Sequence, residues 1–190
     1  MERSDELAYM GITKDTPEKD AINYGSCHKG RNCESCSAYC NMGSGFLIDT
    51  DVPKIAKHLG ISEAKLKMNY LEPVRMYNKT MWRPKLIKKN DLPYGKCVFF
   101  NEQEKCTIHG VKPMQCKTSV CNEYGEQLTE WFMLNHVIDA NDPHAIREWA
   151  QRLKVKKTIH GGELHQLVKD QELLKKILTF EKINKEHKNG

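Results

Sequence analysis

Apolar residues recur along this chain with two different periods, and the change of period divides it. In the last third the spacing is helical. Leu128, Trp131, Phe132 and Ile138 fall on one face, and Ile146, Trp149, Ala150 and Leu153 follow at i, i+3, i+4 and i+7 behind the helix-starting pair Asp142-Pro143. Beyond "HGG", the residues Leu164, Leu167, Val168, Leu174, Ile177 and Leu178 form one stripe, which predicts a single long helix. The middle of the chain opens the same way. "DVPKIAKHLG" predicts a helix capped by Thr50 or Asp51, with Pro53 in its first turn and Gly60 stopping it. Ser62 then caps a second helix, "EAKLKMNYLE", which Pro73 ends.

Between these blocks the period shortens to two. "VRMYNKTMWRPKLI" alternates and is rich in aromatic and β-branched residues, which predicts one or two strands. "CVFFNEQEKCTIH" predicts a hairpin whose short apolar strands begin at Cys97 and Cys106. "VKPMQC" predicts a short helix that carries Cys116, with Pro113 at its start. "FLIDTD" is expected as a short strand, and residues 1–26 as an irregular lead-in with a turn at "DTPEKD". The fold class is therefore α+β, mostly helical, with a small β-hairpin and cysteines borne on loops. Residues 1–125 are expected to form a cysteine-cluster metal-binding part, and residues 126–190 a helical part packed on it within one domain.

Composition adds compartment and charge. The chain is 39% hydrophobic and 29% charged, and no apolar run approaches the roughly 20 residues that span a bilayer. Its start, "MERSDELAYMGITKD", lacks a basic region followed by an apolar one, so the expected location is cytoplasmic, with thiols reduced and no membrane contact. Net charge is +5, and residues 151–190 hold ten Lys/Arg against five Asp/Glu, so the tail carries the whole excess. Such a tail is first a solvated helix face. It is also a possible contact for a protein partner or, less favoured, for nucleic acid.

The eight cysteines change the picture most. They fall in two clusters, Cys27, Cys33, Cys36 and Cys40 (C-x5-C-x2-C-x3-C) and Cys97, Cys106, Cys116 and Cys121 (C-x8-C-x9-C-x4-C). Structural cysteines scatter over apolar faces. These sit beside Gly, Asn, Ser and Lys, and reduced cysteines clustered in this way point to metal ligation or thiol chemistry. All eight are candidate ligands. Four thiolates suit an iron–sulfur cluster, expected as 4Fe-4S, and zinc is the alternative; eight can hold one centre with thiols to spare, or two. The two-residue gap lets Cys33 and Cys36 converge from one turn. His28 and His109 stand close enough in sequence to replace a cysteine at a zinc site.

Three functions follow from these residues. One is a metal-cluster protein serving electron transfer, cluster or metal handling, or a modification reaction. Another is a zinc-stabilised module that binds a partner. The third is an iron–sulfur sensor that binds DNA, because residues 52–71 also satisfy a helix-turn-helix pattern: Ala56 small at the crossing, Gly60 at the turn, Ile61 and Leu66 as core. Its second helix offers Glu63, Lys65, Lys67 and Asn69, with no arginine to read guanine. No general acid–base pair or oxyanion site is identifiable, so the sequence names no catalytic residue and no substrate.

"DVPKIAKHLGISEAKLKMNYLE", the strand region after it, and "CVFFNEQEKCTIHGVKPMQCKTSVC" together resemble the YkgJ-type cysteine-cluster proteins, a family described as zinc- or iron-chelating. Cys97, Val98, Phe99, Cys106, Ile108, Pro113 and Cys116 match its late cysteine block. His109 stands where tyrosine is usual, and Lys112 where arginine is usual. The resemblance covers roughly residues 27–121 and implies a metal-binding domain. A related cysteine-rich region occurs in flagellin lysine methylases, where an iron–sulfur cluster is implied, but this chain has no identifiable Gly-rich motif for S-adenosylmethionine.

Overall fold

The computed structural model describes residues 11–26, 33–90 and 92–182. Its first helix, α1 (Glu18–Tyr24), lies where the sequence suggested only a turn. Seven residues are too few to hold a helix by propensity. Pro17 precedes it, Glu18 and Asp20 stand in its first turn, and Ala21 is fully buried against later helices, so tertiary packing supplies what the local pattern lacks.

The next helices follow their local signals. α2 (Glu34–Met42) carries Cys36 and Cys40. α3 (Asp51–Leu59) stops at Gly60, whose φ of 65° is the left-handed conformation that ends helices. α4 (Glu63–Tyr70) begins at Ser62, whose hydroxyl accepts the Lys65 N–H. It ends three residues before Pro73, because Leu71 already starts a strand. The strand expected at "FLIDTD" reduces to one bridge, Leu47 to Trp82.

β1 (Leu71–Met76) and β2 (Lys79–Pro84) form an antiparallel ribbon with Leu71 opposite Pro84 and Met76 opposite Lys79. Tyr77 and Asn78 join them with φ of 47° and 61°, the positive pair that a type I′ hairpin requires. β3 (Leu86–Ile87) pairs with β4 (Lys96–Cys97), and β5 (Phe100–Asn101) pairs with β6 (Lys105–Cys106). The cysteine hairpin is therefore real but shorter than expected. Cys106 lies opposite Phe100, whereas Cys97 lies opposite Leu86 in a different ribbon.

A 3-10 turn (His109–Val111) leads to α5 (Met114–Thr118), which carries Cys116 behind Pro113 as predicted. α6 (Gly125–Phe132) runs into a π turn (Met133–Val137), and α7 (Pro143–Leu153) starts where Asp142 accepts the His144 N–H. The single long helix expected after "HGG" is instead two, α8 (Leu164–Leu167) and α9 (Gln171–Leu178). Asp170 causes the break: its carboxylate accepts the N–H groups of Glu172 and Leu173 and so starts a new helix. Leu178 is consequently exposed, and the stripe that remains buries Val168, Leu174 and Ile177 against Ile146 of α7. Among the described residues no helix is long and apolar enough to cross a membrane.

Two larger cores meet at the segment after α2. One gathers Met81, Met114, Leu128, Trp131, Phe132 and Trp149. The other gathers Val52, Ile55, Leu66, Leu71, Phe99 and Ile108, with Cys40, Cys97 and Cys106. Phe46 enters the first core and Leu47 the second, since neighbouring residues of an extended chain point to opposite sides.

Part of the tail's positive charge is spent inside the fold. Glu130 on α6 is 1% exposed. It accepts from Arg152 at 3.1 Å and from the Ile159 N–H at 2.9 Å, with Lys156 3.9 Å away. Replacing Glu130 with alanine strands the Arg152 charge and the buried Ile159 N–H together. The expected loss is about 2–4 kcal/mol, read as a lower urea midpoint at unchanged slope.

Candidate metal centre

Among the described residues, four thiols from separate segments line one cavity of about 780 Å³: Cys40 of α2, Cys97 of β4, Cys106 of β6 and Cys116 of α5. Each is placed by a local reason. Cys40 lies in the last turns of α2 before the chain turns away at Gly43. Cys97 and Cys106 occupy positions in the two small ribbons. Cys116 is brought in by α5, the helix that Pro113 starts.

α5 is short and its Pro113 cap has no side-chain acceptor, so its first N–H needs a partner from elsewhere. Asp51 supplies it. Its carboxylate is 1% exposed and accepts the Met114 N–H at 2.8 Å and the Ile48 N–H at 3.0 Å. The sequence suggested Asp51 or Thr50 as the cap of α3. Thr50 occupies that position without a side-chain bond, and Asp51 caps α5 instead, 63 residues further along. Gln115 adds a second tie, accepting the Phe46 N–H at 2.6 Å. Between these ties Gly45 presses on Cys116: a β-carbon there would stand 2.6 Å from the Cys116 sulfur, so a side chain at residue 45 would displace the thiol.

The apolar side of the site is held by α3 and α4. Tyr70 at the end of α4 stacks on Phe99 with ring centres 5.5 Å apart, and His58 of α3 lies 3.4 Å from the Thr107 carbonyl. The helix pair singled out as a helix-turn-helix thus packs against the thiol-bearing ribbons.

Burial and mutual repulsion make Cys40, Cys97 and Cys116 reluctant to ionise. Burial pushes Cys40 up to about 11; Cys106 adds to the rise and Lys112 opposes it. Burial pushes Cys97 up to about 12, against the Phe99 N–H that bonds its sulfur, with Cys40 and Cys106 adding. Cys116 is also raised by burial. Cys97, Cys40 and Cys106 add to its rise, and the Gly45 N–H opposes it. Although Cys116 is partly exposed as a residue, its thiol is the buried part, turned against Gly45. A cation among the four would invert this balance, stabilising each thiolate that the others now oppose. Among the described residues no three His, Cys, Asp or Glu donors stand at the spacing of a single bound ion.

Of the other cysteines, Cys33 and Cys121 stand differently. Cys33 is buried at the start of α2 and Cys121 is exposed after α5; neither lines the cavity. Cys36 sits one turn before Cys40 on α2. Cys27 and His28 lie outside the described residues. His109 lines the cavity alongside the four thiols. Of the pair expected to lead the site, Cys33 stands off the cavity, and the side chain of Cys36 lies outside the described residues. Asp51, Gln115 and Gly45 were not legible as site residues, because their partners lie some 60 or more residues away in sequence.

Two outcomes follow. Asp51→Ala leaves the Met114 and Ile48 N–H groups buried without an acceptor, so it should cost about 2–3 kcal/mol and speed hydrogen exchange at those two amides first. In the metal-free protein the folded thiols of Cys40, Cys97 and Cys116 titrate above the unfolded value of about 8.5. The stability that comes from holding those protons is whole below that pH and is lost as pH rises toward 11–12, the values of Cys40 and Cys97. Urea midpoints of the metal-free protein should fall across this alkaline window, and Cys97→Ala should flatten the fall.

Comparison with known proteins bears on the same residues. Neither curated proteins nor solved structures give a match to this chain. Residues 32–136, more than half of the 190, match the family model CxxCxxCC. The matched range starts after Cys27, takes in Cys33, Cys36, Cys40 and the whole second cluster, and runs beyond Cys121 into α6 and the π turn. The chain belongs to the family described as a "putative zinc- or iron-chelating domain".

Proposed function

We propose that this chain is an iron–sulfur protein that carries electrons, with Cys40, Cys97, Cys106 and Cys116 as the ligands of one cluster. The observation that carries the reading is the shared cavity: four thiols from separate segments stand around about 780 Å³, more room than one ion needs. A single zinc ion draws its sulfurs to about 2.3 Å of one point, whereas a cluster presents a separate iron to each ligand. The donor set is soft and anionic once deprotonated, which fits such a group.

When bound, the cluster supplies one-electron chemistry. The chain's own residues set the terms. Phe99, Phe100 and Ile108 keep water from the buried side. The Phe99 and Gly45 N–H groups are aimed at the sulfurs of Cys97 and Cys116 and draw off negative charge, which favours the reduced state. Lys112 acts on Cys40 in the same sense. No general acid or base is needed for this role.

Purification without air tests the reading. The protein should be brown, with iron and acid-labile sulfide present. Serine at Cys40, Cys97, Cys106 or Cys116 should remove most of both, and serine at exposed Cys121 should remove little. A colourless protein holding only zinc would overturn the iron–sulfur part. In the metal-loaded form acid should release the metal, because protons compete for the thiolates; this is opposite in sign to the alkaline loss in the metal-free form.

A further inference from the structure

Around the mouth of the thiol cavity stand side chains that do not hide from water. Tyr39 and Met42 of α2 are 67% and 62% exposed, Tyr94 is 46% exposed, and all three border the cavity, with Leu86 and Pro93 continuing the apolar rim. Large apolar side chains gathered in this way mark an interaction face rather than chance exposure. The charge on the same wall has one sign. Arg83, Lys105 and Lys112 line it, and no Asp or Glu occurs among the described residues that do. Glu72 engages Arg83 at 2.8 Å, so the charge that the wall itself offers outward is that of Lys105 and Lys112.

We propose that this face docks an acidic protein. The partner would set an apolar or aromatic side chain among Tyr39, Met42 and Tyr94, while its carboxylates meet Lys105 and Lys112. Only the purpose of the docking, electron exchange with the thiol-held centre, rests on the iron–sulfur reading; the face itself rests on exposure and charge. A small ligand is less suited, since such sites bury most of the ligand's surface and these rim residues stand clear of the cavity. The chain's own tail and a second copy are also poorly matched, because residues 151–190 carry the positive excess and the whole chain is +5. Encounters of this kind bury under about 1,200 Å² and weaken with salt.

The test uses metal-loaded protein prepared without air. The probes are two fluorescent peptides, one with glutamates flanking a tryptophan and one with lysines in their place. At low salt the glutamate peptide should bind saturably and at least about tenfold more tightly than the lysine peptide. Lys105→Glu with Lys112→Glu should weaken it roughly tenfold, and Tyr39→Ala with Met42→Ala roughly fivefold. Circular dichroism should show all variants folded. Equal binding of the two peptides, or binding abolished by Lys175→Glu with Lys176→Glu on α9 but untouched by the face variants, overturns the proposal. Dimerisation in sedimentation that the face variants abolish also overturns it, in favour of a second copy. Iron and sulfide are assayed on the same samples. A colourless zinc protein that still binds the glutamate peptide upholds the face and overturns the iron–sulfur reading, whereas a brown protein that does not bind overturns the docking alone.

Discussion

A thiolate placed among Phe99, Phe100 and Ile108 has no water to solvate its charge, and a second and third thiol beside it raise the cost again. This constraint governs the thiol end of the molecule. Without a cation Cys40, Cys97 and Cys116 hold their protons, and protonated thiols act as small apolar groups that do little to specify their own arrangement. The chain must therefore bring them together by other means, and those means lie in the packing and hydrogen bonds around them.

The Asp51 carboxylate is central to that arrangement. It closes the turn before α3 through Ile48 and caps α5 through Met114, so one buried group fixes the helix pair relative to the helix that presents Cys116. The stretch from Gly45 to Leu47 does the complementary work. Gly45 allows the close approach to the Cys116 sulfur, Phe46 bonds Gln115 through its N–H and enters one core, and Leu47 enters the other. Cys40, Cys97 and Cys106 thus belong to the second core, and this stretch, which reaches into both cores, holds Cys116 beside them.

The helical part after α6 is tied in by different physics. Glu130, Arg152 and the Ile159 N–H form a buried polar contact, and Trp131 and Trp149 each bury an indole whose N–H finds a carbonyl, at Thr16 and Gly162. Part of the basic charge that the sequence places in the tail is therefore not on an outward face. Arg152 and Lys156 turn toward α6, while Lys175 and Lys176 remain exposed.

What the sequence by itself determined was local. Gly60 ending a helix, Ser62 and Asp142 starting helices, and the short helix behind Pro113 were all legible, because each depends on groups within four residues of one another. The mixed helix-and-hairpin class followed from the change of hydrophobic period. What only the tertiary structure decided was convergence. Cys40 faces the cavity while Cys121 lies exposed, Cys97 pairs with Leu86 in a ribbon separate from that of Cys106, and α1 forms on a sequence with no helical stripe. Spacing along the chain tells which thiols can be near one another. Which of them share a wall depends on Asp51, Gln115 and Gly45 meeting partners some 60 or more residues away, and on which side chains the two cores leave room for.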